Sequence, residues 1–240
     1  ACGALLLRAD AEHAAHTVLQ PLGSAVRQDG RSASLTAPSG GAQQSLLSAA
    51  LQDASEDAVR LVIVEAHGTG TKLGDPIEAG SLNAVLLATR YQPLSLSGVK
   101  ASIAHAEPAA GMTGLLRLVL GLWHCRVAPN AQLRVLNAYV GGEFRGGHKA
   151  CILPVQPLAL LSRPHTGGVS SFGYSGTIAH SVLTAHAAVI AVLKEPLHVR
   201  RRAFALPYQQ LYGAEACSSD VSVYSVAWRH EQHTCRLAPA

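Results

Sequence analysis

The sequence is poor in charge, in sulfur and in aromatic rings, with 14% charged residues, one methionine, Met112, and 5% Phe, Trp and Tyr. Its 19 Lys and Arg against 15 Asp and Glu leave a net charge of only +4. No basic run exceeds Arg200-Arg201-Arg202, and basic and aromatic residues do not alternate, so the footprint of a nucleic-acid binder is missing. The longest apolar stretches, 115–123 and 183–193, are broken by Arg117 and His186. Both fall short of the roughly 20 residues that cross a bilayer, so no membrane span is expected. No basic-then-apolar leader is visible at the front. The five cysteines (Cys2, Cys125, Cys151, Cys217, Cys235) form no C-x-x-C pair and no metal-type spacing, so no metal site is expected. Reduced thiols in an intracellular, cytoplasmic protein fit that scatter. His13 and His16, in an Ala-rich stretch, read as surface histidines. The chain opens on Ala1 without an initiator methionine, which reads as a piece of a longer protein.

What is present is alanine, leucine, valine and glycine, in a chain long enough to bury a core. The order of its patterns is informative. A short apolar run at 3–8 reads as a buried strand, and 9–20 as a loop or short helix stopped by Pro21. Gln28-Asp29-Gly30 is a turn signal. Residues 42–54 repeat Leu46, Leu47, Ala50 and Leu51 at helical spacing. An apolar strand at 60–65 leads to a glycine-rich loop and a helix over 76–89 that begins with proline. A strand at 94–99, a Ser/Ala/His loop and a helix over 108–123 follow. After Pro129 the pattern becomes irregular until 169–183. Alternating strands and helices predict an α/β layered fold, and wholly apolar strands predict a sheet covered on both faces. Ligand chemistry then belongs at the loops around 67, 105 and 172.

Three segments could carry that chemistry. VEAHGTGTKLGDPIEAGSL (64–82) delivers His67 into a loop whose glycines admit a ligand and whose hydroxyls, Thr69 and Thr71, can bind one. Asp75 and Pro76 then open a helix, the acid near its positive end. On spacing alone a structural loop histidine is as good a reading. GVKASIAHAEPAAGMTGLL (98–116) brings Lys100, His105 and Glu107 within eight positions, either an acid-base set or a salt-bridged loop. GVSSFGYSGTIAHSVL (168–183) carries Phe172, which can line an acyl pocket or simply pack in the core.

Taken together these segments resemble the C-terminal half of the ketosynthase (β-ketoacyl synthase) domain of type I polyketide synthases. The family's HGTGT-x-LGDPIEA stretch stands at 67–79, its lysine–histidine loop at 100–111, and its closing S-S-F-G-x-S-G-T-x-A-H stretch at 170–180. GSAVRQDGRSASLTAPSGGAQ at 23–43 also resembles the segment ahead of the first histidine, and the likeness runs colinearly over about residues 1–185. It implies a thiolase-like layered αβαβα fold, of which this chain is the C-terminal half. Residues 1–190 would be the ketosynthase portion and 191–240 a linker leading to a further domain.

The resemblance also implies the reaction. A decarboxylating Claisen condensation joins an acyl thioester to a malonyl-type extender on an acyl carrier protein. His67 and His105 match the histidine pair that donates from Nε2 to the developing oxyanion, and Lys100 the lysine that holds the network. Thr69 and Thr71 match the threonines that bond the pantetheine arm, and Phe172 the aromatic residue of the acyl channel. No cofactor is bound directly; phosphopantetheine rides on the carrier protein. The implied partners are that carrier protein, the N-terminal half of the ketosynthase, and a second copy in the parent homodimer. The nucleophilic cysteine of the family lies upstream, so the isolated chain is expected to be inactive and to leave an apolar face uncovered. Cys2 matches a strand position after the nucleophile, and Cys217, within Ala216-Cys217-Ser218-Ser219, only imitates its signature. Ser102, Ala104 and Ile178 stand where the family has Asn, Gly and Asn. They favour the alternative of a non-catalytic scaffold or docking unit. A thiolase-like degradative enzyme is disfavoured, because the His-Gly-Thr-Gly-Thr loop belongs to the decarboxylating branch.

Overall fold

A strand such as Leu61-Val62-Ile63-Val64 has no polar face, and it is stable only where helices cover both sides of its sheet. In the computed structural model that is its position. The structure describes residues 19–30, 37–144, 151–160 and 165–185, together with the backbone of 224–227 and 236–239. The strand expected at 3–8, His13, His16, Cys2, Cys217 and Cys235 lie outside the described residues. The chain divides into two units, Ala1–Ile190 and Ala191–Ala240.

The elements of the first unit are β1 (Leu19–Gln28), α1 (Gly40–Asp53), β2 (Leu61–Glu65), α2 (Gly74–Leu82), β3 (Leu94–Ser97), α3 (Lys100–Ile103), α4 (Ala110–His124), β4 (Arg126–Val127), α5 (Ala138–Glu143), β5 (Cys151–Ile152), β6 (Leu158–Ala159), β7 (His165–Phe172) and β8 (Thr177–Ala185). In the second unit β9 (Tyr224–Ala227) pairs antiparallel with β10 (Arg236–Pro239). The main sheet runs β1-β8-β7-β2-β3-β5. Its β7, β2, β3 and β5 are parallel neighbours, and β8 and β1 add antiparallel pairs at one edge.

An irregularity between Leu61 and Ile63 breaks the alternation of β2, so that Leu61 and Val64 face one core and Ile63 the other. On one face Leu61 and Val64 meet Leu47, Ala50 and Leu51 of α1, Leu82 of α2, and Leu86 and Leu87 of the π-helical turn that extends it. On the other, Ile63 meets Leu118 and Leu122 of α4, Val169 and Leu183. The result is an α/β fold with helices on both sides, as the apolar strands predict.

Several boundaries move. α2 begins at Gly74, with Pro76 inside its first turn where no amide hydrogen is required. The helix expected over 108–123 starts as a 3₁₀ turn at Glu107–Ala109 and ends at His124, on a left-handed Cys125. β1 falls partly in the expected 9–20 loop, and Pro21 and Gly23 disguise it. A Cβ on Gly23 would lie 2.2 Å from the Ala54 backbone nitrogen, so glycine there marks close contact with α1 rather than a break. The irregular stretch after Pro129 contains α5 and three strands, two of them only two residues long.

At the sheet centre, Ser170 Oγ and His180 Nδ1 share a 2.9 Å hydrogen bond, while His180 Nε2 has no partner. Gly168 provides the room, for a Cβ there would stand 2.6 Å from that nitrogen. Burial lowers the His180 pKa from 6.5 to about 4. A depressed folded-state value means this contribution to stability is complete above pH 6.5 and is lost as pH falls toward 4. Relative to His180→Gln, the native chain should lose about 2 kcal/mol more between pH 7.5 and pH 5. Urea midpoints at the two pH values measure it; parallel losses in both proteins would contradict the assignment.

Candidate active site

Parallel strands β2, β3 and β7 deliver their following loops to one edge of the sheet, and those loops carry His67, Lys100 to His105, and Phe172. The loop after β2 turns through Gly68 and Gly70, at φ +47° and +77°, a region that glycine enters without a Cβ penalty. The fully buried Glu78 of α2 closes the turn from below. Its two carboxyl oxygens accept the amide hydrogens of His67 (2.7 Å) and Gly68 (2.9 Å). Asp75 Oδ1 accepts the amide of Gly70 at 3.1 Å, and Thr71 Oγ1 that of Gly74 at 3.0 Å.

Both histidines have their protons placed by backbone. The Phe172 amide donates to His67 Nδ1 at 3.2 Å, and the Glu107 amide donates to His105 Nδ1 at 2.9 Å. A ring nitrogen that accepts an N–H holds no proton, so each imidazole is a neutral donor through Nε2. The rings stand edge to face with centroids 5.9 Å apart, and Phe172 lies 5.0 Å from His67. Burial first, and then the charge of Lys100, hold the His67 pKa down to about 4.

Lys100 donates from Nζ to the His67 carbonyl. Burial lowers its pKa, against the opposing pull of Glu78, Glu65 and Asp75. Burial also raises Glu78 to about 7, despite its two amide hydrogen bonds. Glu65, at the end of β2, accepts from Ser97 Oγ (2.6 Å) and the Val99 amide, and pairs with Arg117 Nε at 3.3 Å. Arg117 reaches on to the carbonyls of Ala128 (3.1 Å) and Pro129 (2.8 Å). Glu78, Glu65 and Arg117 were not singled out in the sequence. The available signals were a glutamate ending an apolar strand and a glutamate inside the 67–79 motif.

Of the expected residues, the structure brings His67, His105, Lys100, Thr69 and Phe172 together. Thr71 is exposed, and its oxygen already accepts from Gly74, so its proton is what it has to offer. Glu107 serves His105 through its backbone amide; the carboxylates facing Lys100 are Glu78, Glu65 and Asp75, which replaces the Lys100–His105–Glu107 set. A cavity of about 970 Å³ is lined by His67, Thr69, Thr71, His105, Phe172 and Gln43, among others. A second, of about 720 Å³, lies beside Lys100 and 130–137 and shares Thr69, Glu78 and His105 with the first. Cys125 and Cys151 line neither, and burial raises the Cys151 thiol to about 11. No metal-type cluster occurs among the described residues.

The family model for the β-ketoacyl synthase C-terminal domain matches residues 20–134. The chain is 42% identical over 186 residues to polyketide synthase GfsE of Streptomyces halstedii, covering 75% of this chain and 5% of that protein. It is 41% identical over 169 residues to erythronolide synthase EryA2 of Saccharopolyspora erythraea, covering 70% and 5%. The ketosynthase from module 6 of the bacillaene synthase of Bacillus subtilis 168 superposes with a TM-score of 0.64 at 31% identity, covering 69% of this chain and 30% of that one. The chain belongs to the β-ketoacyl synthases. It is a C-terminal ketosynthase portion of type I polyketide synthase kind, with the thiolase-like α/β fold, and it spans a small fraction of the synthases it matches. An oxazolomycin ketosynthase domain of Streptomyces albus gives 0.65 at 28% identity, covering 71% and 30%.

Within this ketosynthase portion the departures differ in weight. Ile178 is buried opposite Phe172 in the β7–β8 ladder, where its apolar side chain needs no partner. Ser102 stands on the surface, 3.4 Å from Arg117 Nη1. Ala104 has φ +63° and ψ −179°, a conformation essentially reserved for glycine, immediately before His105. Strain of about 1–3 kcal/mol is typical of such a residue. Ala104→Gly should therefore stabilise the chain by about 1 kcal/mol after the flexibility of glycine is subtracted. A urea midpoint that stays put or falls would show that Ala104 is not strained.

Proposed function

We propose that this chain supplies the decarboxylating half of a condensing site in a polyketide synthase. The observation that carries the reading is the pair of imidazoles whose Nδ1 atoms each accept a backbone amide, so that both present Nε2–H to one cavity. In the reaction, the bond between the malonyl carboxylate and its α-carbon breaks, carbon dioxide leaves, and the electron pair moves into an enolate on the thioester oxygen. His67 and His105 donate to that oxygen from Nε2. The enolate carbon then attacks the acyl thioester, and its thiolate departs. A low His67 pKa suits the role, since an imidazolium would bind the starting carboxylate as readily as the product-like oxyanion.

Lys100 positions His67 through its carbonyl and keeps the ring neutral through its charge. Thr69 and the proton of Thr71 bind the phosphopantetheine arm of an acyl carrier protein, and Phe172 borders the acyl channel. The acyl-bearing cysteine comes from the N-terminal half of the ketosynthase, since neither described thiol lines the site. That half also covers the outer face of α4, where Leu120 is exposed. The parent acts as a homodimer, and residues 191–240 form the linker to a following domain. No described helix is long and apolar enough to cross a membrane, and a cytoplasmic place completes the reading. The assembled donors favour this over a scaffold role.

The test is decarboxylation of a malonyl carrier-protein thioester by the parent ketosynthase. His67→Ala and His105→Ala should each lower the rate by about 10²–10³, the usual loss for one oxyanion donor. Native rates in both variants would leave the scaffold reading standing.

A further inference from the structure

Among the wall residues of the cavity that holds the two histidines is a buried glutamine to which the account above gives no role. Gln43 lies in the first turn of α1, is 2% exposed, and lines that cavity beside His67, Thr69 and Thr71. Its side-chain oxygen, Oε1, is shut from solvent and has no hydrogen-bond partner. A dry, unpaired amide oxygen costs about 1–3 kcal/mol, and buried glutamines ordinarily avoid that state.

The surroundings keep Gln43 where it is. Ser39 caps α1, its Oγ accepting the Ala42 amide at 3.3 Å while its carbonyl accepts the Gln43 amide at 3.0 Å. Asp29 Oδ1 in turn accepts the Ser39 amide at 3.3 Å, tying the helix start to the end of β1. The backbone is thus fixed, and the free coordinate is the terminal carboxamide torsion, which is broad and two-fold. Oε1 is shut from the cavity as it stands, so the carbonyl meets a ligand there only after a turn about that bond.

We propose that Gln43 is a substrate-binding residue whose carbonyl accepts an amide N–H from the pantetheine arm of the incoming thioester. This rests on the reading of the cavity as a thioester site and names the group that satisfies the unpaired Gln43 oxygen. A well-placed polar group of this kind fixes a ligand's orientation. A hydroxyl on the acyl chain is the other donor that could reach the carbonyl, and the test separates the two.

The measurement is binding of S-acetyl-pantetheine to the full chain by ligand-observed NMR, with thermal unfolding alongside. Gln43→Met removes the unpaired oxygen at nearly the same volume, so it should raise the melting temperature and weaken binding at least fivefold. A residue of purely structural role cannot give both. Gln43→Asn keeps the amide but withdraws it by one methylene, and it should show the same loss of affinity even if Gln43→Met fails to fold. Unchanged affinity in both variants, while Thr69→Val weakens binding, overturns the role of Gln43 and leaves the thioester site standing. A loss seen only with S-(3-hydroxybutyryl)-pantetheine assigns the contact to the acyl chain and also overturns it. No binding to the native chain removes both the proposal and the site reading beneath it.

Discussion

The hydrogen bond from the Phe172 amide to His67 Nδ1 joins residues 105 apart in sequence, and the site depends on it. It holds the end of β7 against the loop after β2, and it puts the His67 proton on Nε2. Neither effect needs a charged side chain. Glu78 then grips the two amides at the base of the same loop, and Lys100 grips the carbonyl. His67 is therefore fixed at its amide, its carbonyl and its ring before any ligand arrives. Such prior fixing is what makes a hydrogen-bond donor effective at a developing charge.

The neighbouring histidine is held more loosely. His105 relies on a contact two residues away, from Glu107, and both Glu107 and Ala104 occupy positive φ. The strain around it is concentrated at a site where alanine replaces a residue without a Cβ. The side chain of His105 is exposed, whereas that of His67 is half-buried. The second histidine is thus the less firmly held of the two.

The order of elements, the two-sided covering of β2 and the loops that carry His67, Lys100 and Phe172 are legible in the sequence, because apolar periodicity and glycine punctuation are local signals. β1 is not, because Pro21 and Gly23 look like breaks until the α1 backbone is seen against Gly23. The supporting carboxylates escape for a related reason. Glu65 and Glu78 act on amides and cations that come from other segments, and no spacing in one segment announces such a partner. Gln43 is harder still, since what distinguishes it is a bond it lacks. The roles of the motif residues came from family resemblance, and spacing alone left them balanced against ordinary packing.

The tautomers of His67 and His105 test the central claim most directly. Long-range proton–nitrogen correlation on the ¹⁵N-labelled chain at pH 7.5 reads which ring nitrogen of each is protonated. The account predicts neutral rings with the proton on Nε2 in both. A proton on Nδ1 of either ring, or a doubly protonated His67, would contradict it.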